Sequence, residues 1–326
     1  MKKLLALVMA LVLVLGAAAA LADYPDKGLT AICPWGAGGG TDNCLRAFCL
    51  ALDKQLGQVS TVDNRTGASG VTGHEAIADA DPDGYTYGMI TFEVVTYKAL
   101  EMSDYKSYED YDPLCRLNAD PAAVTVNKKW ADANGISDIN GFIEYCKAHP
   151  GEVRMGGSSA NSVWHIAGGY FMNAAGVEFQ MVTYPDGAAS AVQAAAQGVD
   201  IEGVTVSLAE ARNFIESGDL VCLGLMAEER INNDVFGAIP TCKEQGVDAF
   251  YATWRGLALP NGVDEAIRTK LADACAAAIE DPDFVTYMNN AGLGIAYLNG
   301  EDFKAFLQEQ EETDVPAAMT AAGIEF

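Results

Sequence analysis

Short apolar runs alternate along this chain with longer segments whose apolar residues recur at helical spacing. Leu29 to Cys33 reads as a buried strand, and Asn43 to Leu56 as an amphipathic helix closed by Gly57. Between them lies Pro34-Trp35-Gly36-Ala37-Gly38-Gly39-Gly40-Thr41-Asp42, with Thr41 or Asp42 the expected N-cap. Strand, glycine loop and helix start form a device for holding an anion, because glycines allow close approach and the first N–H groups lack partners.

The alternation continues. Strands are expected at Val59–Val62, Tyr85–Thr91, Ala122–Asn127, Val153–Met155, Met181–Tyr184, Ile201–Val206 and Leu220–Met226. Helices are expected at Val71–Ala80, Ile136–Ala148, a segment ending near Ala175, Ala188–Gln197, Leu208–Glu216, Asp264–Ile279 and Glu301–Glu312. Repeated β-α units imply an α/β fold of mostly parallel sheets with helices on both faces. Ligands then sit beyond the carboxyl ends of the strands. Four corners place small or polar residues before a helix: Gly36–Asp42, Thr66–Gly70, Gly156–Ser162 and Pro185–Ala188.

The first 22 residues read as a signal peptide, with Lys2 and Lys3 ahead of the apolar run Leu4–Leu15 and a cleavage site at Ala20-Leu21-Ala22. No cysteine stands at the cut, as a lipoprotein would need. The remaining chain of about 300 residues exceeds what one core usually fills, so two lobes are expected. Removing two lysines from the 20 basic side chains leaves 18 against 45 acidic ones, net −27. That charge disfavours nucleic acid and anionic lipid as partners and forces any anion site to rely on local donors. The eight cysteines show no zinc spacing, and buried free thiols are the expectation.

Several motifs are decoys. A nucleotide-binding P-loop needs a lysine that Gly40-Thr41-Asp42 lacks. The dinucleotide fingerprint begins at Gly36 and Gly38 but meets Thr41 at its sixth position, although Asp63 suits a ribose hydroxyl. Asp79 to Gly84 opens like a calcium loop whose twelfth position is Ile90 instead of glutamate. No catalytic set, metal site or cofactor is expected. His165 falls in the first turn of the helix after the second Gly/Ser loop, where either a ligand bond or a helix cap fits.

Cys33-Pro34-Trp35-Gly36-Ala37-Gly38-Gly39-Gly40-Thr41-Asp42 resembles the first-loop motif of tripartite tricarboxylate transporter substrate-binding proteins, the TctC or Bordetella uptake (Bug) receptors. Asp63-Asn64-Arg65-Thr66-Gly67-Ala68-Ser69-Gly70 is similar to their second loop, departing at Thr66 and Ser69. Pro82 to Thr86, Gly157-Ser158-Ser159, Tyr184 to Ala188, Trp254-Arg255-Gly256-Leu257 and Ala322-Gly323-Ile324 extend the resemblance along the chain. It implies a two-lobed periplasmic-binding-protein fold, type II-like, with a ligand cleft between lobes. Lobe one would comprise 23–120 and 248–326, lobe two 121–247, with crossings near Ala119–Pro121 and Gly246–Phe250.

Position by position, the resemblance implicates Gly38, Gly39, Gly40, Thr41, Asp42, Ala68 and Ser69 in gripping one carboxylate. Ser158, Ser159, Asn161 and Asp186 would meet the ligand's far end; Asp186 suits an ammonium, a hydroxyl or its own helix start. Trp35 suits a pocket wall or hinge packing. Thr91 and Glu93 fall in a further loop, where the charge of Glu93 would favour a ligand with a cationic or hydroxyl group. The implied function is a non-enzymatic, monomeric periplasmic receptor. It would bind a small organic carboxylate by hinge closure and deliver it to the membrane permease of a tripartite tricarboxylate transporter. An exported enzyme on a similar fold, or the binding component of an ATP-driven importer or sensor, are the competing classes.

Overall fold

The glycine loop hangs from a central strand that is buried on both faces. This strand, β1 (Leu29–Cys33), buries four of its five residues, as a parallel strand covered by helices on each side should. The structure, a computed structural model, describes residues 24–102, 107–185, 187–231 and 236–325. The expected signal peptide and Asp186 lie outside the described residues. After the loop comes α1 (Gly40–Leu56), which buries Cys44, Leu45, Phe48, Cys49, Ala51 and Leu52. It ends at Gly57, whose φ of 70° provides the left-handed cap anticipated from the sequence.

Next follow β2 (Ser60–Asn64), α2 (Val71–Ala78) and β3 (Thr86–Thr91). Both strands pair with β1 in parallel, giving the order β2-β1-β3. The 17-residue strand β4 (Tyr111–Asn127) is far longer than the pattern at Ala122–Asn127 suggested. Pro113 hides its first half from sequence reading, yet it is tolerated at an irregularity in the register with the later strand β9 (Ala252–Pro260).

Beyond β4 the chain builds α3 (Ile139–Ala148), β5 (Arg154–Gly156), α4 (Val163–Ala175), β6 (Gln180–Val182), α5 (Ala188–Gln197), β7 (Gly203–Ser207), α6 (Leu208–Glu216) and β8 (Leu220–Leu225). After β9 come α7 (Glu265–Ala278), α8 (Pro282–Ala291), β10 (Ile295–Asn299) and α9 (Gly300–Glu309). Parallel pairing holds for β1, β2 and β3 and again for β5, β6 and β7. Antiparallel β4 and β9 run through the middle.

β4 ties the two halves together. Its residues 111–121 pair with β9, while 122–126 pair with β7 and 123–127 with β8. One half-sheet is thus β2-β1-β3-β9-β4 with β10, and the other is β4-β7-β5-β6 with β8. Two large apolar clusters fill the layers. One packs α1 and α7 against β1 through Phe48, Leu45 and Leu271; the other gathers Phe142, Phe171, Val204 and Trp164 under the second half-sheet. All eight cysteines are free thiols, and all but Cys222 are buried.

Candidate functional site

Where the two half-sheets face each other lies a cavity of about 190 Å³. From the first half come Trp35 to Thr41, Asn43, Thr91, Glu93, Thr253, Arg255, Tyr287, Ala291 and Leu293; from the second come Ser158, Val163, Trp164, Gly187 to Ala189, Ala209, Glu210 and Asn213. Four helix N-termini converge on it: α1, α4, α5 and α6. None of their N-cap residues, Gly39, Ser162, Gly187 and Ser207, makes a side-chain capping bond. Each start leaves N–H donors and a partial positive charge of about half a unit at the cavity edge.

The cap of α1 differs from the expectation at Thr41 or Asp42. Gly38, at φ +82°, turns the chain so that Gly39 takes the N-cap in extended conformation. Asp42 thereby falls inside the first turn and reaches back to accept the Gly38 N–H at 2.9 Å. It also accepts from Arg46 at 2.9 Å and Asn64 at 2.9 Å. Burial alone would raise its pKa, but these bonds together hold it below the ordinary carboxylate value. Asp42 therefore shapes the loop from behind and does not line the cavity.

Trp35 lines the wall and is fixed there: its Nε1 donates to Thr91 Oγ1 at 3.2 Å. That hydroxyl in turn donates to Glu93 Oε2 at 2.5 Å. Glu93 Oε1 accepts the backbone N–H of Val163 at 3.4 Å, across the cleft at the start of α4. Both oxygens are thus acceptors, although burial pushes the pKa of Glu93 up. Beneath Thr91, His74 Nε2 accepts the Thr91 N–H at 3.3 Å. Its Nδ1 then donates to Tyr97 Oη at 2.7 Å, and Tyr97 donates to the Ser69 carbonyl at 3.3 Å. Burial pushes the His74 pKa down to about 3, so the ring is neutral.

Among the described residues, Arg255 is the one basic side chain lining the cavity, and it is 3% exposed. Its Nη1 donates to Asp120 at 2.6 Å and its Nε to Thr41 Oγ1 at 3.0 Å. Its Nη2 lies 3.9 Å from Glu210 Oε1, at the start of α6. Burial works against the Arg255 charge, and Asp120 and Glu210 outweigh it to raise its pKa. Glu210 is lifted to about 7 by burial, against the pull of Arg255.

The structure gathers Trp35, Gly38, Gly39, Gly40, Thr41, Thr91, Glu93 and Ser158 around the cavity. Ala68 and Ser69 do not line it; Ala68 is exposed on the second loop, and Gly70 packs behind Trp35. Ser159 is buried, its hydroxyl has no partner, and it is absent from the lining. Asn161 donates its N–H to His165 Nδ1 at 3.2 Å, and neither side chain lines the cavity. Of the two roles open to His165, the helix-start bond is the one observed. Sequence reading missed Arg255 and Glu210. A lone arginine inside the apolar run of β9 and the Ser207-x-x-Glu210 capping pattern were the available signals.

The chain is similar to known proteins over most of its length. A sequence model of the Tripartite tricarboxylate transporter family receptor matches residues 44–318. Protein BugT of Bordetella pertussis is 31% identical over 276 residues, 82% of this chain and 81% of that protein. A TctC solute binding protein from Polaromonas, solved without ligand, is 32% identical with a TM-score of 0.68, covering 92% of this chain and 98% of its own. The R. palustris protein Rpa4515, solved with adipate, shares the fold at 23% identity and a TM-score of 0.84, covering 93% and 99%. With two half-sheets facing one cavity and relatives aligned nearly end to end, this chain belongs to the tripartite tricarboxylate transporter family of receptors.

Proposed function

We propose that this protein is a periplasmic solute receptor that binds a small organic carboxylate between two lobes and hands it to a tripartite tricarboxylate-type permease. The observation that carries the reading is the convergence on one cavity of four helix starts, none of them capped by its own N-cap side chain. Lobe one comprises 23–120 and 248–326, and lobe two 121–247. A carboxylate seated on α1 or α5 would take charge-assisted bonds worth about 1.5–3 kcal/mol each. Micromolar affinity needs about 8 kcal/mol net, so a few such bonds suffice even after the entropy of binding.

Because the lining is split between the lobes, a ligand touching both favours the closed state by its differential contacts. Glu93 on Val163 and Arg255 beside Glu210 are two polar contacts that already cross the cleft. Gly38, Gly39, Gly40, Thr41, Trp35, Thr91 and Glu93 serve from lobe one, Ser158 from lobe two. The receptor acts as a monomer that holds and releases its ligand unchanged. The adipate in Rpa4515 supports a carboxylate as cargo. A thermal-shift screen with citrate, malate, adipate, benzoate and L-glutamate tests this. A ligand at 100 times its dissociation constant adds about 2.7 kcal/mol of stability and a clear rise in Tm. If no carboxylate raises Tm, the proposal falls.

A further inference from the structure

We infer that the cavity is built for a carboxylate that also carries a protonated amine, the ammonium seated between Glu93 and Glu210. The inference deepens the receptor reading above and rests on it. It starts from how the four helix starts are used. Glu93 accepts the Val163 N–H at the start of α4. Glu210 sits in the first turn of α6, where the Ser207 N–H helps hold its carboxylate. Among the described residues, two of the four starts therefore already face a carboxylate in the cavity wall, and the starts of α1 and α5 offer theirs to the ligand.

The charges decide what that ligand is. Four helix starts contribute about two positive charges' worth of potential. Glu93 and Glu210, the latter with its pKa lifted to about 7 by burial, offset most of that potential, and Arg255 is matched by Asp120 at 2.6 Å. Among the described residues, the charges around the cavity thus come close to cancelling. A dicarboxylate would bring two further negative charges into a site whose one basic side chain among the described residues already donates to Asp120 and Thr41 through two of its three nitrogens. A zwitterion brings none.

A second observation points to a missing donor. Glu210 Oε2 is buried and accepts no hydrogen bond, although the Glu210 side chain is only 11% exposed and lines the cavity. Glu93, 3% exposed, accepts from Thr91 at 2.5 Å on one oxygen and from the Val163 N–H at the long distance of 3.4 Å on the other. An ammonium, with three donors and no acceptor, supplies what both carboxylates lack. The α1 start meanwhile offers its N–H groups to the carboxylate end.

The test compares probes matched in length by calorimetry on the wild-type chain: 6-aminohexanoate against adipate, 4-aminobutyrate against succinate, and L-glutamate against glutarate. The amine-bearing member of the best pair is expected to bind at least about tenfold tighter. Glu93→Gln and Glu210→Gln, isosteric changes checked for folding by circular dichroism, are expected to narrow that preference by about 10- to 100-fold. If adipate, succinate or glutarate binds as tightly as its amine-bearing partner, the inference is overturned while the receptor reading stands. If no probe in the panel binds, the receptor reading falls and takes this one with it.

Discussion

Arg255 links the two sides of the cleft, so its removal is the sharpest perturbation of the site. The guanidinium and Asp120 are 3% and 2% exposed at the side chain and 2.6 Å apart. At an effective dielectric near 20 their gross attraction is about 6 kcal/mol. Desolvation consumes much of that, but deleting one partner leaves the other charge buried and unpaired, which typically costs about 3–5 kcal/mol. Arg255→Met keeps the bulk and removes the charge. In urea unfolding followed by tryptophan fluorescence, the variant is expected to lose about 3–5 kcal/mol at pH 8, or about 6–10 °C in Tm. The deficit should shrink as pH falls. With the cation gone, Glu210 loses the pull that opposed its burial, so its folded-state pKa lies further above its unfolded one, and the folded variant is favoured at low pH and penalised as pH rises through that value. Adding Asp120→Asn should recover at least about 1 kcal/mol, because the orphaned charge leaves with it. A loss below about 1 kcal/mol at pH 8, or a deficit that does not change between pH 5 and 8, would refute the reasoning.

Three further outcomes are expected. His74 has a folded pKa near 3 against 6.5 for the free side chain, so the stability it contributes is complete above pH 6.5 and is lost as pH falls towards 3. Urea unfolding at pH 7, 6 and 5 should therefore show His74→Gln losing less stability across that range than the wild type; an equal or steeper loss counts against the assignment. A Cβ at Gly40 would lie 2.8 Å from Arg255 Nη2 and 3.3 Å from Glu210 Oε1. Gly40→Val should thus weaken carboxylate binding by about tenfold or more with the fold intact, and unchanged affinity would exclude the α1 start as a contact. Finally, all eight cysteines should react with a thiol reagent in denaturant without reductant. In the native protein none should react readily, because even Cys222, the one thiol that is not fully buried, has its pKa pushed up to about 12 by desolvation; a total of six or fewer in denaturant would contradict the free-thiol assignment.

Local signals carried far in this sequence, and long-range ones did not. The β1 strand, the glycine loop and the Gly57 cap are each dictated by neighbours a few residues away, and all three are found. Trp35, Thr91, Glu93 and Ser158, singled out from motifs, line the cavity. The start of α1 was misplaced because three successive glycines carry no side chain to mark a cap, and Asp42 looked like a cap while acting from inside the turn. The first half of β4 was hidden because its prolines and buried Asn118 and Asp120 violate strand patterning. Their justification lies in partners far along the chain: Gly294 donating to Asp120 at 2.9 Å, and Arg255. Arg255 was visible as part of a motif, but its role depends on Asp120, 135 residues earlier. The second loop resembled a gripping loop in composition, yet Ala68 points to solvent.

The central claim is that unpartnered backbone N–H groups at helix starts hold a carboxylate in this cavity. The most direct measurement is calorimetric titration of the wild-type chain with the carboxylate that raises Tm most, compared with its methyl ester. Esterification keeps the carbon skeleton and removes the anionic acceptor. At least a tenfold loss of affinity is expected for the ester. An ester that binds as tightly as the free acid would contradict it.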